Sequence, residues 1–177
     1  TGTLPVAGDH LTNDLSIGLR VTNAQAEMLK LRHARATVLT RDKADKVWLN
    51  GDASFGDRQL PKLAIETITA ARVQELLEVV RAKLGPAFVA EHCGAGIILA
   101  GGTAKLPGLE EAATRVFGLP ARRGEPPGWV KEELQDPMFS TVLGVFQFGL
   151  RTAHEHAVPQ RRKTGLLSNL TKIFAVN

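Results

Sequence analysis

A chain of 177 residues with 44% apolar and 23% charged residues can bury a hydrophobic core, so its composition excludes a disordered chain. The single cysteine, Cys93, excludes an internal disulfide framework and favours a reducing compartment such as the cytoplasm. A formal charge of +4 is too small to indicate a nucleic-acid-binding protein, and no apolar run is long enough to span a bilayer.

The first half of the chain predicts two helices, a small sheet and a long helix. Leucines recur every four residues over residues 12–20, where Thr12 can cap a helix, and a second helix begins near Asn23. From residue 37 to 63, short β-prone runs are separated by turn-forming residues, which indicates a small antiparallel sheet. The apolar positions of this sheet would be Val38, Val47 and Leu49. A long amphipathic helix then runs to a break at Gly85.

The second half predicts short strands that alternate with helices. An apolar run of strand length, residues 96–100, precedes a glycine turn and a helix over residues 109–117. A short strand follows at residues 121–123, and a last helix opens at Asp136, whose next residue is proline. The helical periodicity stops after Ala153, where a polar linker is predicted to begin.

Two glycines, Gly101 and Gly102, directly follow the apolar strand and form the strongest local signal. Because glycine has no Cβ, the backbone here can approach a flat ligand or another backbone closely. The segment is not a phosphate-binding P-loop, since no Gly-Lys-Ser/Thr triplet follows, and it lacks the spacing of a dinucleotide site. A plain tight turn is the alternative, so the residues alone leave the ligand open.

The end of the chain predicts a second kind of site. After the linker, residues 154–164, an amphipathic helix is predicted over residues 165–177, with five apolar side chains within an arc of about 120°. These are Leu166, Leu167, Leu170, Ile173 and Phe174, with Lys172 on the opposite side and Arg161, Arg162 and Lys163 just before them. Such a segment is typical of a helix that binds an anionic membrane surface. The alternative is a final helix packed against the core.

Five segments, in order, resemble those of the FtsA family, bacterial cell-division proteins of the actin and Hsp70 superfamily. GGTAKLPGL is similar to the adenosine motif of that superfamily, and VAGDHLTNDL resembles a Gly-Gly-Asp-His stretch with Ala7 in place of the first glycine. The segments AEMLK and DPMFSTVLGVFQFG and the helix that carries Arg72 and Glu75 complete the series. Together these segments cover nearly the whole chain.

The resemblance implies an α/β, actin-like fold of the ribonuclease-H-like type. The larger subdomain would comprise residues 1–20 plus 95–153, and a small α+β subdomain, residues 21–94, would be inserted into it. The N-terminal half of the family fold would be missing, and the start at Thr1 also reads as the middle of a domain.

The resemblance further implies that adenine binds between the two subdomains, over Gly101, Gly102 and Thr103, with Glu27 and Lys30 reaching the nucleoside. Without the family, Glu27 and Lys30 would be a solvated helix face. In the family, hairpins that precede this segment hold the triphosphate and its Mg²⁺. ATP with Mg²⁺ is therefore expected only in the complete protein, and this chain is expected to bind no cofactor and to be no ATPase. The spacing of histidine and cysteine predicts no metal site.

The partners that the resemblance implies are the C-terminal peptide of the tubulin-like ring protein FtsZ, the membrane, and further copies of the chain in actin-like filaments. Arg58, Lys62 and Arg72 are candidates for binding the acidic peptide, although only Arg72 matches a family motif and simple surface charge is the alternative. The first hypothesis is a tether that links the FtsZ ring to the cytoplasmic side of the cell membrane at the division septum. The alternatives are an actin-superfamily ATPase of the sugar-kinase or chaperone kind and a pilus-assembly actin homologue.

Overall fold

The computed structural model describes residues 2–41, 43–51 and 56–157, and of residues 154–157 it describes the backbone alone. The chain divides into two compact units, residues 1–141 and residues 142–177. The helices and strands are α1 (Gly8–Leu19), α2 (Asn23–His33), β1 (Lys46–Leu49), β2 (Arg58–Pro61), α3 (Lys62–Leu84), β3 (Ile97–Leu99), α4 (Leu109–Phe117), β4 (Ala121–Arg123) and α5 (Ser140–Ala157).

The first helix begins four residues before its predicted start, so the prediction that Thr12 caps it is wrong. The N-cap is Ala7, whose N–H donates to Nδ1 of His10 at 3.3 Å. Asp9 places a carboxylate in the first turn, where the helix dipole is positive. Thr12 therefore lies inside α1, and its hydroxyl is available for contacts with α2.

The predicted antiparallel sheet is confirmed for β1 and β2, which pair with Val47 opposite Leu60. Val47, Leu49 and Leu60 are buried on one face of this pair. Val38 lies outside these strands, because the segment around it is bonded to a helix instead. The backbone N–H groups of Leu39 and Thr40 each donate to Oε2 of Glu66 on α3 at 2.8 Å, which replaces the ladder bonds of a strand.

The long helix α3 contributes to both hydrophobic clusters of the first unit. One cluster contains Ile65 together with residues of α1, α2, β1 and β2. The other contains Val73 and Leu77 together with Leu11 and most of the apolar face of α4. Because α3 joins the two clusters, it fixes where α1 and α2 lie relative to the β3–α4–β4 segment. The subdomain boundaries after residues 20 and 94 stay predictions.

The predicted order of strand, glycine turn, helix and strand is confirmed over β3, α4 and β4. The two strands are parallel, with Ile97 opposite Ala121 and Leu99 opposite Arg123. A parallel pair needs a crossover connection, which α4 supplies by packing its buried face against the same cluster. The turn after β3 is thereby held at one edge of the first unit.

The last helix differs from its prediction at both ends. Asp136 accepts the N–H of Met138 at 2.9 Å and caps a short 3₁₀ turn, so α5 begins only at Ser140. It continues to Ala157, so the first four residues of the predicted linker are helical. No helix in the described ranges has the length and hydropathy needed to cross a membrane. The predicted helix over residues 165–177 lies outside the described residues.

Candidate functional site

The glycine turn after β3 presents bare backbone to an open space. Gly101 has a φ of +89°, a conformation that side chains rarely adopt, and its N–H donates to the carbonyl of Pro137 at 3.0 Å. At Gly102, an added Cβ would meet only Met138, at 4.0 Å. The turn is therefore fixed by Pro137 on one side and open to a ligand on the other.

Three polar side chains of α1 and α2 are bonded to one another, and two of them, Glu27 and Lys30, line the same cleft as Gly102. The hydroxyl of Thr12 donates to Oε2 of Glu27 at 2.5 Å, and Nζ of Lys30 lies 2.7 Å from the same oxygen. Lys30 also donates to Oγ1 of Thr12 at 2.9 Å and to the carbonyl of Gly8 at 3.3 Å. These contacts place the Lys30 ammonium between α1 and α2, with 16% of its side chain exposed.

Glu27, Lys30, Gly102 and Thr103 line one cleft of about 610 Å³. An added Cβ at Gly8 would lie 3.2 Å from Oγ1 of Thr103, which shows how closely α1 approaches the glycine turn. Gly101 does not line the cleft, although its backbone shapes the turn. The structure thus brings together four of the five residues predicted for the nucleoside, while their role as ligands stays a prediction.

Sequence reasoning missed the other eight residues that line this cleft: Gly8, Asp9, Leu11, Leu31, Lys105, Leu106, Pro107 and Met138. Lys105 forms an ion pair with Asp136, which lies 31 positions away in the sequence. Lys105 stands inside the GGTAKLPGL segment, so the motif itself was the signal that could have identified it. Leu106 and Pro107 lie in the same segment. The rest come from α1, α2 and the 3₁₀ turn before α5, and no local pattern indicates that these elements converge.

The two acidic side chains that pair with lysine at this site are held in their ionised form. Hydrogen bonds from Lys30 and then from Thr12 lower the pKa of Glu27, and partial burial opposes this only in part. Hydrogen bonds from Lys105 and from the Met138 N–H likewise lower the pKa of Asp136. At neutral pH the cleft therefore offers a paired carboxylate as an acceptor and a lysine as a donor.

This arrangement suits a neutral, planar ligand that carries hydroxyl groups. Bare backbone at Gly102 allows a ring to lie close, while Glu27 and Lys30 can bond hydroxyl or ring nitrogen atoms. The described residues hold no group of three or more side chains suited to binding a metal ion.

The three residues predicted to bind an acidic peptide do not form one free cluster. Arg72 forms a two-bond ion pair with Asp14 of α1, at 2.5 and 3.0 Å, and a third bond to Glu75 at 2.6 Å. Arg58 donates to the carbonyls of Leu19 and Arg20, at 3.3 and 2.9 Å, at the end of α1. Lys62 instead lines a hollow where α2 ends and α3 begins.

The residues predicted to bind membrane lie outside the described part of the chain. They comprise Arg161, Arg162, Lys163, Leu166, Leu167, Leu170, Lys172, Ile173 and Phe174. Their role rests on the sequence pattern.

Comparison with known proteins identifies relatives over most of the chain. The family model described as cell division protein FtsA matches residues 1–144. Cell division protein FtsA of Pseudomonas aeruginosa is 31% identical over 153 residues, which are 85% of this chain and 37% of that protein. The Neisseria meningitidis protein is 32% identical over 148 residues, 82% of this chain and 36% of that protein. The chain thus spans little more than a third of the length of these curated relatives.

Solved structures of MreB5 of Spiroplasma citri, bound to ADP or to AMPPNP, share the fold. Each has a TM-score of 0.63 and 16% identity, and covers 86% of this chain and 47% of the solved one. The predicted α/β actin-like fold is therefore confirmed.

Proposed function

The chain belongs to the FtsA family of cell division proteins, and from this premise we propose that it is part of an actin-like tether between the FtsZ ring and the cell membrane. The family resemblance drawn from five sequence segments is thereby confirmed. The family match carries this proposal. No observation favours a sugar kinase, a chaperone or a pilus-assembly protein, because the matched relatives are cell division proteins.

The membrane end of the tether is residues 161–177. Their apolar stripe and the three basic residues before it support binding to an anionic surface, where each basic residue contributes about 1 kcal/mol. A single tail of this kind binds weakly, whereas copies assembled in a filament share many tails and stay bound together. We expect the assembled protein to lie on the cytoplasmic side of the membrane at the division septum.

Flotation with vesicles tests this end of the tether. Vesicles of phosphatidylcholine with phosphatidylglycerol are expected to carry the chain upward, and replacing both Ile173 and Phe174 by glutamate is expected to reduce the bound fraction at least tenfold. The double replacement puts two charges on the apolar stripe, which removes the area that enters the lipid. Replacing Ser168 and Asn169 by glutamate adds the same charge to the polar side and is the matched control. Equal losses in the two variants would remove the membrane role.

At its other end, the tether is proposed to bind the C-terminal peptide of FtsZ through Arg58, Lys62 and Arg72. A labelled FtsZ peptide added to the same flotation is expected to rise with the vesicles only when the chain is present. Because Arg72 is bonded to Asp14, Arg72→Ala removes both a peptide contact and an ion pair between α1 and α3. Asp14→Ala breaks the same ion pair and keeps the arginine. Peptide binding that is lost in Arg72→Ala and kept in Asp14→Ala supports the assignment, and equal loss in both contradicts it.

The cleft between α1, α2 and the glycine turn is proposed to bind the adenosine part of ATP in the complete protein. Two observations support this proposal: Glu27, Lys30, Gly102 and Thr103 line one cleft, and the fold is shared with the MreB5 structures bound to ADP and AMPPNP. The triphosphate and Mg²⁺ would be held by segments that the family places before this one.

Adenosine itself is the ligand with which the cleft can be tested in this chain. Titration followed by amide chemical shifts is expected to shift the signals of Gly102 and Thr103. Lys30→Met is expected to weaken binding about tenfold, because it removes one charged hydrogen-bond donor from the cleft. Lys83→Met, at the exposed end of α3, is the control. Shifts that avoid the glycine turn, or an unchanged affinity in Lys30→Met, would refute the assignment.

A further inference from the structure

A second concave site, here named the basic pocket, lies where α2 ends and α3 begins. It encloses about 430 Å³, and its charged lining consists of Arg32, Arg35, Arg41 and Lys62 against Asp45 and Glu66. Four permanent cations thus face two carboxylates. Burial and the charges of Lys62 and Arg32 lower the pKa of His33, which also lines the pocket, so its imidazole is neutral at neutral pH. The positive excess does not depend on this histidine.

The cationic side chains of the basic pocket form no ion pair with another described residue. The ion pairs among described residues include none of Arg32, Arg35, Arg41 and Lys62. The Nε atom of Arg35 is buried and has no hydrogen-bond partner among the described residues. Arg58 and Arg72, by contrast, are bonded to backbone carbonyls and to carboxylates. Buried guanidinium nitrogens are normally hydrogen-bonded, so Arg35 retains capacity for an anion.

The backbone that carries Arg35 and Arg41 is fixed to α3 at two points. The buried hydroxyl of Thr69 donates to the Arg35 carbonyl at 2.8 Å and accepts the Arg35 N–H at 3.3 Å. Farther along, Glu66 accepts the Leu39 and Thr40 N–H groups and the Thr40 hydroxyl, all at 2.8 Å. The acceptor oxygens of Glu66 are therefore occupied by the segment it holds, but the carboxylate keeps its negative charge, so Glu66 and Asp45 together oppose the four cations of the pocket.

The start of α3 adds to the positive potential of the pocket. This helix of 23 residues has no side-chain cap and no acidic residue in its first turn, and its first residue, Lys62, lines the pocket. The Lys62 N–H donates to the Asp45 carbonyl at 2.9 Å, so the helix start contributes mainly through its dipole, whose positive end favours an anion. The helix start alone would not define a site, but here it coincides with the arginine cluster.

We propose that the basic pocket binds a small anion that carries two or more phosphate groups. Each arginine guanidinium can donate two parallel hydrogen bonds to one phosphate group. A compact pocket with several arginines therefore matches an anion whose negative charges are equally close together, such as a diphosphate. The adenosine cleft uses Glu27, Lys30, Gly102 and Thr103, none of which lines the basic pocket, so these two sites are separate. Of the residues proposed to bind the FtsZ peptide, Lys62 also lines the basic pocket, whereas Arg58 and Arg72 do not. It would give the chain a phosphate-binding site that includes part of the segment 35–41.

Calorimetric titration of the chain with inorganic pyrophosphate tests the proposal. Saturable binding at one site is expected, and Arg32→Gln and Arg41→Gln, both exposed side chains, are each expected to weaken it at least tenfold. Arg115→Gln, which changes net charge equally on the exposed face of α4, is expected to leave the affinity within twofold. Thermal denaturation of each variant checks that the fold is retained. Absence of saturable binding, or equal weakening in Arg115→Gln, would overturn the proposal.

Two competition arms define the chemistry of the anion. Glycerol 3-phosphate, which carries a single phosphate group, is expected to leave pyrophosphate bound at equal concentration. Displacement of pyrophosphate by glycerol 3-phosphate would show that one phosphate is enough and would overturn the proposal of a site for two or more. A short polyglutamate peptide that binds more tightly than pyrophosphate, with the same loss in Arg41→Gln, would assign the pocket to an acidic protein segment and refute the proposal.

Discussion

Replacing Glu66 by alanine is expected to lower the free energy of unfolding by about 2–4 kcal/mol at pH 7. The Glu66 side chain is 1% exposed, and its carboxylate accepts three hydrogen bonds from Leu39 and Thr40. Alanine would leave these donors without their charged acceptor and leave a gap beside Ile65 and Thr69. The measurement is urea denaturation followed by circular dichroism.

The effect of Glu66 on stability is expected to depend on pH in a defined direction. Burial raises the pKa of this carboxyl, but hydrogen bonds from the Thr40 and Leu39 N–H groups and the Thr40 hydroxyl, with the nearby Lys62 charge, outweigh burial and lower it. The folded pKa thus lies below the unfolded value of about 4.3. The stabilisation is present above that value and is lost as the pH falls through the folded pKa.

The difference in stability between the native chain and Glu66→Ala is therefore expected to be largest near neutral pH and to shrink below about pH 4. Glu66→Gln is the matched control, because it keeps the size of the side chain and one acceptor oxygen but cannot ionise. At pH 7 the free energy of unfolding of Glu66→Gln is expected to lie between those of the native chain and Glu66→Ala. A gap between native and Glu66→Ala that stays constant from pH 7 to pH 3 would show that the carboxylate charge contributes nothing.

Replacing Gly96 by alanine is expected to lower the free energy of unfolding by about 2–5 kcal/mol. This effect is the sum of the penalty for a left-handed backbone and a steric clash. Gly96 has a φ of +70°, and an added Cβ would lie 2.2 Å from the carbonyl oxygen of Pro120. That oxygen accepts the N–H of Ile97 at 2.8 Å and starts the pairing of β3 with β4. The clash is with backbone, so relief would require the two strands to separate locally.

Gly118→Ala is the control that measures the penalty for a left-handed backbone without the steric clash. Gly118 also has a φ of +70°, at the end of α4, but an added Cβ there would meet nothing within 4 Å. It is expected to cost only about 1–2 kcal/mol. Denaturation midpoints of the two variants measure the steric part as their difference. Equal destabilisation would mean that the Pro120 carbonyl moves away freely and that the start of the β3–β4 pair is less rigid than the structure indicates.

Much of the candidate site followed from local sequence pattern. The apolar run before Gly101 and the helical spacing after Pro107 predicted the strand, the turn and α4, because these depend on neighbours a few residues apart. The role of Thr12 could not be predicted in this way. A threonine before a leucine-rich stretch looks like a helix cap, whereas here its hydroxyl bonds Glu27, 15 positions along the chain.

By itself, the sequence determined the order of helices and strands and the family. Hydrophobic periodicity indicates the helices and strands, and short motifs indicate the family. Only the tertiary structure decided which basic residues already have partners within the chain. Arg72, the arginine that matched a family motif, is paired with Asp14 58 positions away, and Arg58 is bonded to the end of α1. Arg35 and Arg41, which no motif marked, face an open pocket. Charge pairing depends on distance in space, and residues brought together by packing α3 against α1 and α2 are far apart in the chain.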